Sequence, residues 1–251
     1  MDLTKYNKKF NMYPLFGYNE VFLLENKPLS LEEEIYQSIK HAIFSRKIGP
    51  KMMLSEEQLA EAFNVSRTPI RHVLKRMHYE KIVEIKPKKG VFIHEPSKEE
   101  IEEVFHVKII LEKEAIKMAC QNLSEKKLDE LEALTYKEEE CYKEGEYYKA
   151  LLAANKFHAE IVQACGNNLL LQYYNDLTDL TNLYLALFDT VPEYPPAPSE
   201  HRRIIQALRS RDERETEKEL ISHWTRVKEF MVYNREKDSS VDLKTIFNPL
   251  K

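Results

Sequence analysis

The chain has 251 residues, 43% of them hydrophobic and 32% charged, a balance that suits one large or two ordinary domains with a sizeable core and a polar surface. Five glycines and 11 prolines argue against a glycine-punctuated sandwich, a propeller or a Gly-rich phosphate fold. No stretch approaches the roughly 20 apolar residues of a membrane span, and residues 1–26 lack the charged start, apolar run and cleavage site of a secretory signal. Cys120, Cys141 and Cys165 lie far apart without a CxxC pair, which excludes a disulfide framework and a cysteine zinc site and fits a reducing cytoplasm.

Net charge is −4, but it is unevenly spread. Residues 28–95 hold 12 Lys/Arg against 9 Asp/Glu, residues 96–251 hold 22 against 30, and Ser66–Gly90 alone holds 8 basic and 2 acidic side chains. A basic patch on an otherwise acidic chain is expected where one module meets a polyanion and the other does not.

Residues 1–27 read as a loosely ordered extension with several aromatics and room for one strand. Ser30 and Glu33 have capping-box spacing and open a helix whose apolar positions are Leu31, Ile35, Ile39 and Ile43, ending near Lys47 before Gly49-Pro50. Ser55 and Gln58 open a short second helix. Asn64-Val65 make a turn, and Ser66 caps a third helix with Pro69 in its first turn. That helix turns Ile70, Val73, Leu74 and Met77 inward. Two short strands, Ile82–Ile85 and Val91–Ile93, flank Lys86-Pro87-Lys88-Lys89-Gly90 as a basic hairpin. Three helices and this hairpin predict a winged helix-turn-helix over 28–95.

Glu95-Pro96 marks the domain joint. Beyond it every segment has helical period, over about 98–121, 125–144, 146–165, 168–188, 199–210 and 212–235, with an extended proline-rich link at 189–198. The fold class is therefore mainly α: an N-terminal winged helix-turn-helix followed by an all-α antiparallel bundle over 96–235, with a frayed tail over 236–251.

In a helix-turn-helix the second helix presents its N-terminal residues to the major groove. Here these are Ser66, Arg67, Thr68 and Arg71, with Lys75 one turn on. Arg67, Arg71 and Lys75 share a face opposite the apolar stripe, and an arginine fork can grip guanine O6/N7 or a phosphate. Ser66 and Thr68 can join backbone N–H groups on a phosphate. Lys88, Lys89 and Gly90 at the hairpin tip can enter the minor groove. The alternative, a merely solvated charged helix, does not account for the turn, the caps and the basic hairpin in this order.

Leu54-Ser55-Glu56-Glu57-Gln58-Leu59-Ala60, then Val65-Ser66-Arg67-Thr68-Pro69-Ile70-Arg71, then Lys88-Lys89-Gly90, resembles the DNA-binding domain of GntR-family bacterial transcriptional regulators. The resemblance implies DNA contacts by Arg67, Thr68, Arg71 and Gly90. It departs at Glu57, where the family often has Arg, so that contact is absent or is replaced by Lys75 or Lys51.

Three histidines stand on apolar stripes of three helices: His158 beside Phe157 and Ile161, His201 beside Ile204, Ile205 and Leu208, and His223 beside Leu220 and Val227. Each alone reads as a satisfied core histidine. Together they could converge, and neutral imidazoles suit Zn²⁺ or Ni²⁺ with a position left open for water or ligand. Phe157-His158, Glu200-His201 and His223, with Leu111-Glu112, resemble the helical FCD ligand-binding domain of the FadR subgroup of that family. In its metal-binding branch an acidic residue or Asn stands four positions before the first His. Here that position is Ala154, with Asn155 one residue out of register, so the resemblance implies a metal held by His158, His201 and His223 without the usual fourth ligand.

Lys108 and Glu112 interrupt an apolar stripe. Lys108 pairs with Glu112 one turn on, or it reaches the pocket and both belong to the site of a carboxylate effector. The leucine-rich helix 168–188 is apolar on more than one face, so it is buried in the bundle or between subunits, and a homodimer is expected, as the resemblance also implies. These features predict a ligand-responsive regulator that binds palindromic double-stranded operator DNA as a homodimer and is not an enzyme. The other readings are a metal-dependent hydrolase or lyase, with Asp179 or Glu160 as general base, and an architectural DNA binder without an effector.

Overall fold

Ser30 accepts a hydrogen bond from the Glu33 N–H at 3.2 Å and starts the first helix, α1 (Leu31–Phe44); such caps satisfy N–H groups that the helix itself cannot. The computed structural model describes residues 29–188, 196–231 and 242–247. The expected extension at 1–27, most of the 189–198 link and part of the tail lie outside them. Ser55 caps α2 (Glu56–Phe63) in the same way, and Asn64 ends it in the left-handed conformation. Ser66 occupies the cap position of α3 (Arg67–Tyr79), but its side chain makes no capping bond.

Strands β1 (Val83–Lys86) and β2 (Gly90–Ile93) pair antiparallel, with Val83 opposite Ile93 and Lys86 opposite Gly90. Met53 bridges to Phe92 on the other edge of β2. Ile35, Ile39 and Ile43 of α1 and Ile70, Val73, Leu74 and Met77 of α3 are buried in one core, whereas Leu31 is half exposed. Burying each such side chain contributes about 1.5–3 kcal/mol, which fixes α3 on its scaffold. The residues predicted to form a winged helix-turn-helix fold as one.

Six helices follow: α4 (Lys98–Asn122), α5 (Glu125–Lys143), α6 (Tyr147–Gln163), α7 (Asn168–Phe188), α8 (Ala197–Arg209) and α9 (Glu213–Glu229). Helix α5 packs on α6 and α8, α9 packs on α8 and α4, and α4 packs on α6 and α7. The pattern surrounds a single interior onto which α4, α6, α8 and α9 all project side chains.

The winged unit meets the rest of the chain at several places. Helix α1 lies against α7, where the buried Lys40 pairs with Asp179 at 3.3 Å. In the tail, Leu243–Phe247 is not frayed but forms a short helix, α10, that packs on α2. Leu243 and Phe247 are buried, Phe247 sits 5.2 Å from the Phe63 ring, and Lys244 pairs with Glu61. An apolar Leu-x-x-x-Phe spacing on one helical face explains the docking.

Candidate functional site

Helix α3 and the hairpin tip form one exposed basic face. Ser66, Arg67, Thr68, Arg71 and Lys75 are all solvent-exposed, as are Lys88, Lys89 and Gly90. Lys88 sits at the turn with φ 61°, and Gly90 has φ 113°, a conformation that L side chains rarely adopt. The two leading arginines are held by the preceding helix: Arg67 donates to Glu57 at 2.8 Å and Arg71 to Glu56 at 2.7 Å. Glu57, the position where the resembled family often has Arg, therefore faces Arg67, which the sequence predicts to read DNA. Further along α3, Arg76 binds Glu33 at 2.6 Å and lies over the Tyr36 ring at 3.7 Å, which locks α3 to α1.

His158 on α6, His201 on α8 and His223 on α9 meet in the bundle interior, each at most 3% exposed. Their Nε2 atoms converge: His158 to His201 is 3.0 Å and His201 to His223 is 3.3 Å. Each Nδ1 meets a buried carboxylate, Glu112 for His158 at 2.5 Å, Glu138 for His201 at 2.8 Å and Glu200 for His223 at 2.9 Å. A carboxylate that accepts from Nδ1–H fixes the tautomer, so each Nε2 presents its lone pair to the common centre. Three lone pairs facing one another repel unless a cation lies between them. Ligands about 2.0–2.1 Å from a tetrahedral metal stand about 3.3–3.4 Å apart, close to the spacing seen. The residues present thus fit a divalent metal, and they are the one such group of three His, Cys or acidic side chains among the described residues.

Burial pushes the His158 and His223 imidazoles well below the ordinary range, and the neighbouring His201 adds to the effect at both. Both are therefore neutral at pH 7, as ligation requires. Glu112 is pushed up by burial, to about 7, against the opposing pull of Lys108 and the Trp224 and Tyr174 hydrogen bonds.

Beside the histidines lies a cavity of about 110 Å³. Ala154 and Asn155 both line it, so the register offset leaves Asn155 at the site, with its Nδ2 buried and without a hydrogen-bond partner. Glu138 Oε1 is likewise buried without one. Lys108 and Glu112 do not line this cavity. Lys108 is 1% exposed, donates to Thr178 and Thr181 at 3.0 Å each, and stands over the Tyr174 and Trp224 rings. Threonine hydroxyls and aromatic faces solvate the ammonium without water, which is why it neither snorkels out nor reaches the cavity. Glu112 lies behind His158 and also accepts from Trp224 Nε1 at 2.9 Å and Tyr174 at 3.1 Å. The cations that do line the cavity are Arg46 and Arg226.

Glu138 and Glu200 were not singled out from the sequence as partners of the histidines. Glu138 follows Leu131 and Thr135 and precedes Cys141 on the buried face of α5, so an acidic residue on an apolar stripe was the available signal. The general bases considered for an enzyme are engaged elsewhere, Asp179 with Lys40 and Glu160 with Lys127.

Comparison with known proteins agrees with both halves of the geometry. Residues 31–93 match the model of bacterial regulatory proteins of the gntR family, and residues 103–226 match the FCD domain. The HTH-type transcriptional regulator YdhC of Bacillus subtilis is 25% identical over 203 residues, covering 79% of this chain and 90% of YdhC. The HTH-type transcriptional repressor RspR of Escherichia coli is 20% identical over 215 residues, covering 85% of this chain and 94% of RspR. Among solved structures, E. coli McbR/YncC superposes with a TM-score of 0.66 at 20% identity, over 79% of this chain and 95% of that one. A GntR regulator from Rhodococcus sp. RHA1 gives 0.69 at 18% identity, over 80% and 97%. At such identities the superpositions establish the fold. These matches are to transcriptional regulators, so the hydrolase or lyase reading has no support. The chain belongs to the GntR family of bacterial regulatory proteins, as a DNA-binding transcriptional regulator with a winged helix-turn-helix and an FCD domain.

Proposed function

We propose that this regulator binds palindromic operator DNA in the cytoplasm as a homodimer, and that a divalent metal on His158, His201 and His223 presents a small carboxylate effector that changes DNA affinity. The observation that carries the reading is the convergence of three Nε2 atoms, each backed by a buried glutamate. Three protein ligands leave open coordination positions for the effector's oxygens. Arg67 and Arg71 read bases, Ser66, Thr68 and Lys75 hold the backbone beside them, and Lys88, Lys89 and Gly90 engage the neighbouring groove. Glu112 orients His158, and Lys108 balances its charge from behind.

Support for the dimer comes from an apolar surface on neighbouring helices. Val107, Ile110 and Met118 of α4 and Leu169 and Tyr173 of α7 are between 43% and 60% exposed. Patches of this kind mark interaction sites more often than monomer surface. The test is selection of DNA from a random pool, followed by titration of the selected site with zinc and with zinc plus small carboxylates. A palindromic site whose affinity shifts with the carboxylate only when zinc is present is the expected result. DNA binding indifferent to both additions contradicts the effector reading while leaving DNA recognition in place.

A further inference from the structure

Helix α1 buries two faces of different character. Ile35, Ile39 and Ile43 pack into the apolar core that also holds Ile70 and Leu74 of α3. The other face, with Lys40 and Phe44, lies against the bundle. Asp179, Asn182 and Ala186 follow one another at i, i+3 and i+7 and so share a stripe of α7. Asp179 meets Lys40 at 3.3 Å, and Ala186 shares a cavity wall with Phe44. Lys40 and Phe44 are one turn apart on α1, which places Asn182 in the seam between the two helices.

The polar groups of this seam are poorly served. Six buried side-chain nitrogen and oxygen atoms make no hydrogen bond among the described residues. Three belong to Glu138, Asn155 and Glu200 at the histidine cavity, and the other three are Lys40 Nζ and both amide atoms of Asn182. Lys40 is 2% exposed, with its ammonium 5.1 Å from the Tyr36 ring and 5.8 Å from the Phe44 ring. Lys108, which faces the same turn of α7 from α4, is as deeply buried but donates to Thr178 and Thr181. An ammonium has three donors, and leaving them unmade in a dry contact is costly. Water meets them once the contact parts, and the Asp179 side chain, 37% exposed, stands at the wet edge of the seam.

The seam is thus held closed against a penalty that the apolar face of α1 does not carry, the character of an interface between separable units rather than of a core. What moves with α1 is the reading face. Arg76 of α3 binds Glu33 and covers the Tyr36 ring, whose hydroxyl donates to Glu80 at 2.5 Å, so α1 and α3 are one body. Two reading faces joined through their bundles must meet half-sites a helical turn apart, and a single body adjusts only where it meets the bundle.

We propose that the α1–α7 seam is a joint that opens when the winged unit seats on DNA, so that Lys40, Asp179 and Asn182 are covered in the free protein and wet in the complex. This extends the homodimer reading above, on which it rests, by naming the contact that DNA binding breaks. The closed protein takes DNA only by giving up this contact, and whatever strengthens the seam weakens DNA binding.

Lysine footprinting of the full wild-type chain tests the joint. The protein is labelled sparingly with an acetyl N-hydroxysuccinimide ester, free and with an excess of the duplex selected from a random pool, and each lysine is read by mass spectrometry. Lys40 should label several-fold faster in the complex, Lys108 should stay unlabelled in both states, and Lys75, Lys88 and Lys89 should be protected by DNA. Lys40 covered equally in both states, while those three become protected, overturns the joint and leaves DNA recognition standing. Sedimentation showing one chain per duplex removes the homodimer premise, and the joint with it. In a second measurement, Lys40→Met with Asn182→Leu fills the seam with apolar side chains of similar size and removes its unmet donors. This variant should keep or raise the melting temperature and bind the selected duplex about tenfold more weakly, whereas unchanged DNA affinity in the folded variant overturns the joint.

Discussion

Glu112 and His158 stand 46 positions apart in the chain and 2.5 Å apart in the fold, Oε1 to Nδ1. Through that bond the long helix α4 sets the direction in which the His158 Nε2 points, and Trp224 and Tyr174 hold the other carboxylate oxygen. The cluster of imidazoles on three helices thus depends on a carboxylate from a fourth.

Removing that orienting charge therefore weakens the centre without removing a ligand. Glu112→Gln is expected to lower zinc or nickel affinity by about 10–100-fold, the usual cost of losing a carboxylate behind a ligating histidine. Calorimetric titration of chelator-treated protein checks it. Unchanged affinity means that Glu112 serves packing only. Ala154→Asp should tighten the metal in the same assay, since position 154 lines the cavity and an aspartate there adds an oxygen ligand.

At the DNA face, Arg67→Ala and Arg71→Ala should each weaken specific binding by ~1–3 kcal/mol and relax sequence preference at one position. Lys89→Ala should instead weaken all sequences alike and flatten the salt dependence by about one unit. Anisotropy titrations at several salt concentrations separate the two behaviours, and arginine variants that bind the selected site normally would remove α3 from the groove.

Glu57 opposes Arg67 before any DNA arrives. Because the pair is exposed, it is worth only about 0.2–1 kcal/mol, so Glu57→Gln should raise affinity for all DNA by a few-fold at most. A loss of affinity instead would assign Glu57 a contact of its own.

The winged domain was legible because its signals are local. Capping serines, apolar spacing and the basic turn fix α1 to α3 and the hairpin, and each rests on residues a few positions apart. The three histidines were legible because each stood on an apolar stripe. Their carboxylate partners were harder to see. Glu138 sits in a run of three glutamates, and only packing of α5 against α8 shows which of the three is buried. Arg46 reaches the cavity through contact between the end of α1 and α6, and Lys108 finds its hydroxyl partners 70 and 73 positions away. Local pattern carries no information on pairings that the tertiary fold alone creates. The docking of α10 on α2 is of the same kind.

Protons compete with metal for the same Nε2 lone pairs. Burial lowers the His158 and His223 pKa below the ordinary 6.5, so these imidazoles remain unprotonated as pH falls through that value. Zinc affinity is accordingly expected to weaken modestly as pH falls through about 7, where Glu112 gains its proton, and steeply only at more acid pH, where His158 and His223 protonate. Competition with a metal dye checks it: Glu112→Gln should remove the first step, and a steep loss of zinc from the wild type above pH 6.5 would show that these two imidazoles are not held neutral.

The most direct test of a metal-bearing sensor domain is the melting temperature of chelator-treated protein with and without added zinc, for the wild type and His201→Ala. At zinc near 100 times its Kd the ion adds about 2.7 kcal/mol to stability, which for a chain of this size raises Tm on the order of 5–10 °C. The wild type should show that rise and His201→Ala should not. A wild type that melts at the same temperature with and without zinc, and that carries no metal by elemental analysis, would contradict the account and leave His158, His201 and His223 as a hydrogen-bonded cluster in the wall of a metal-free pocket.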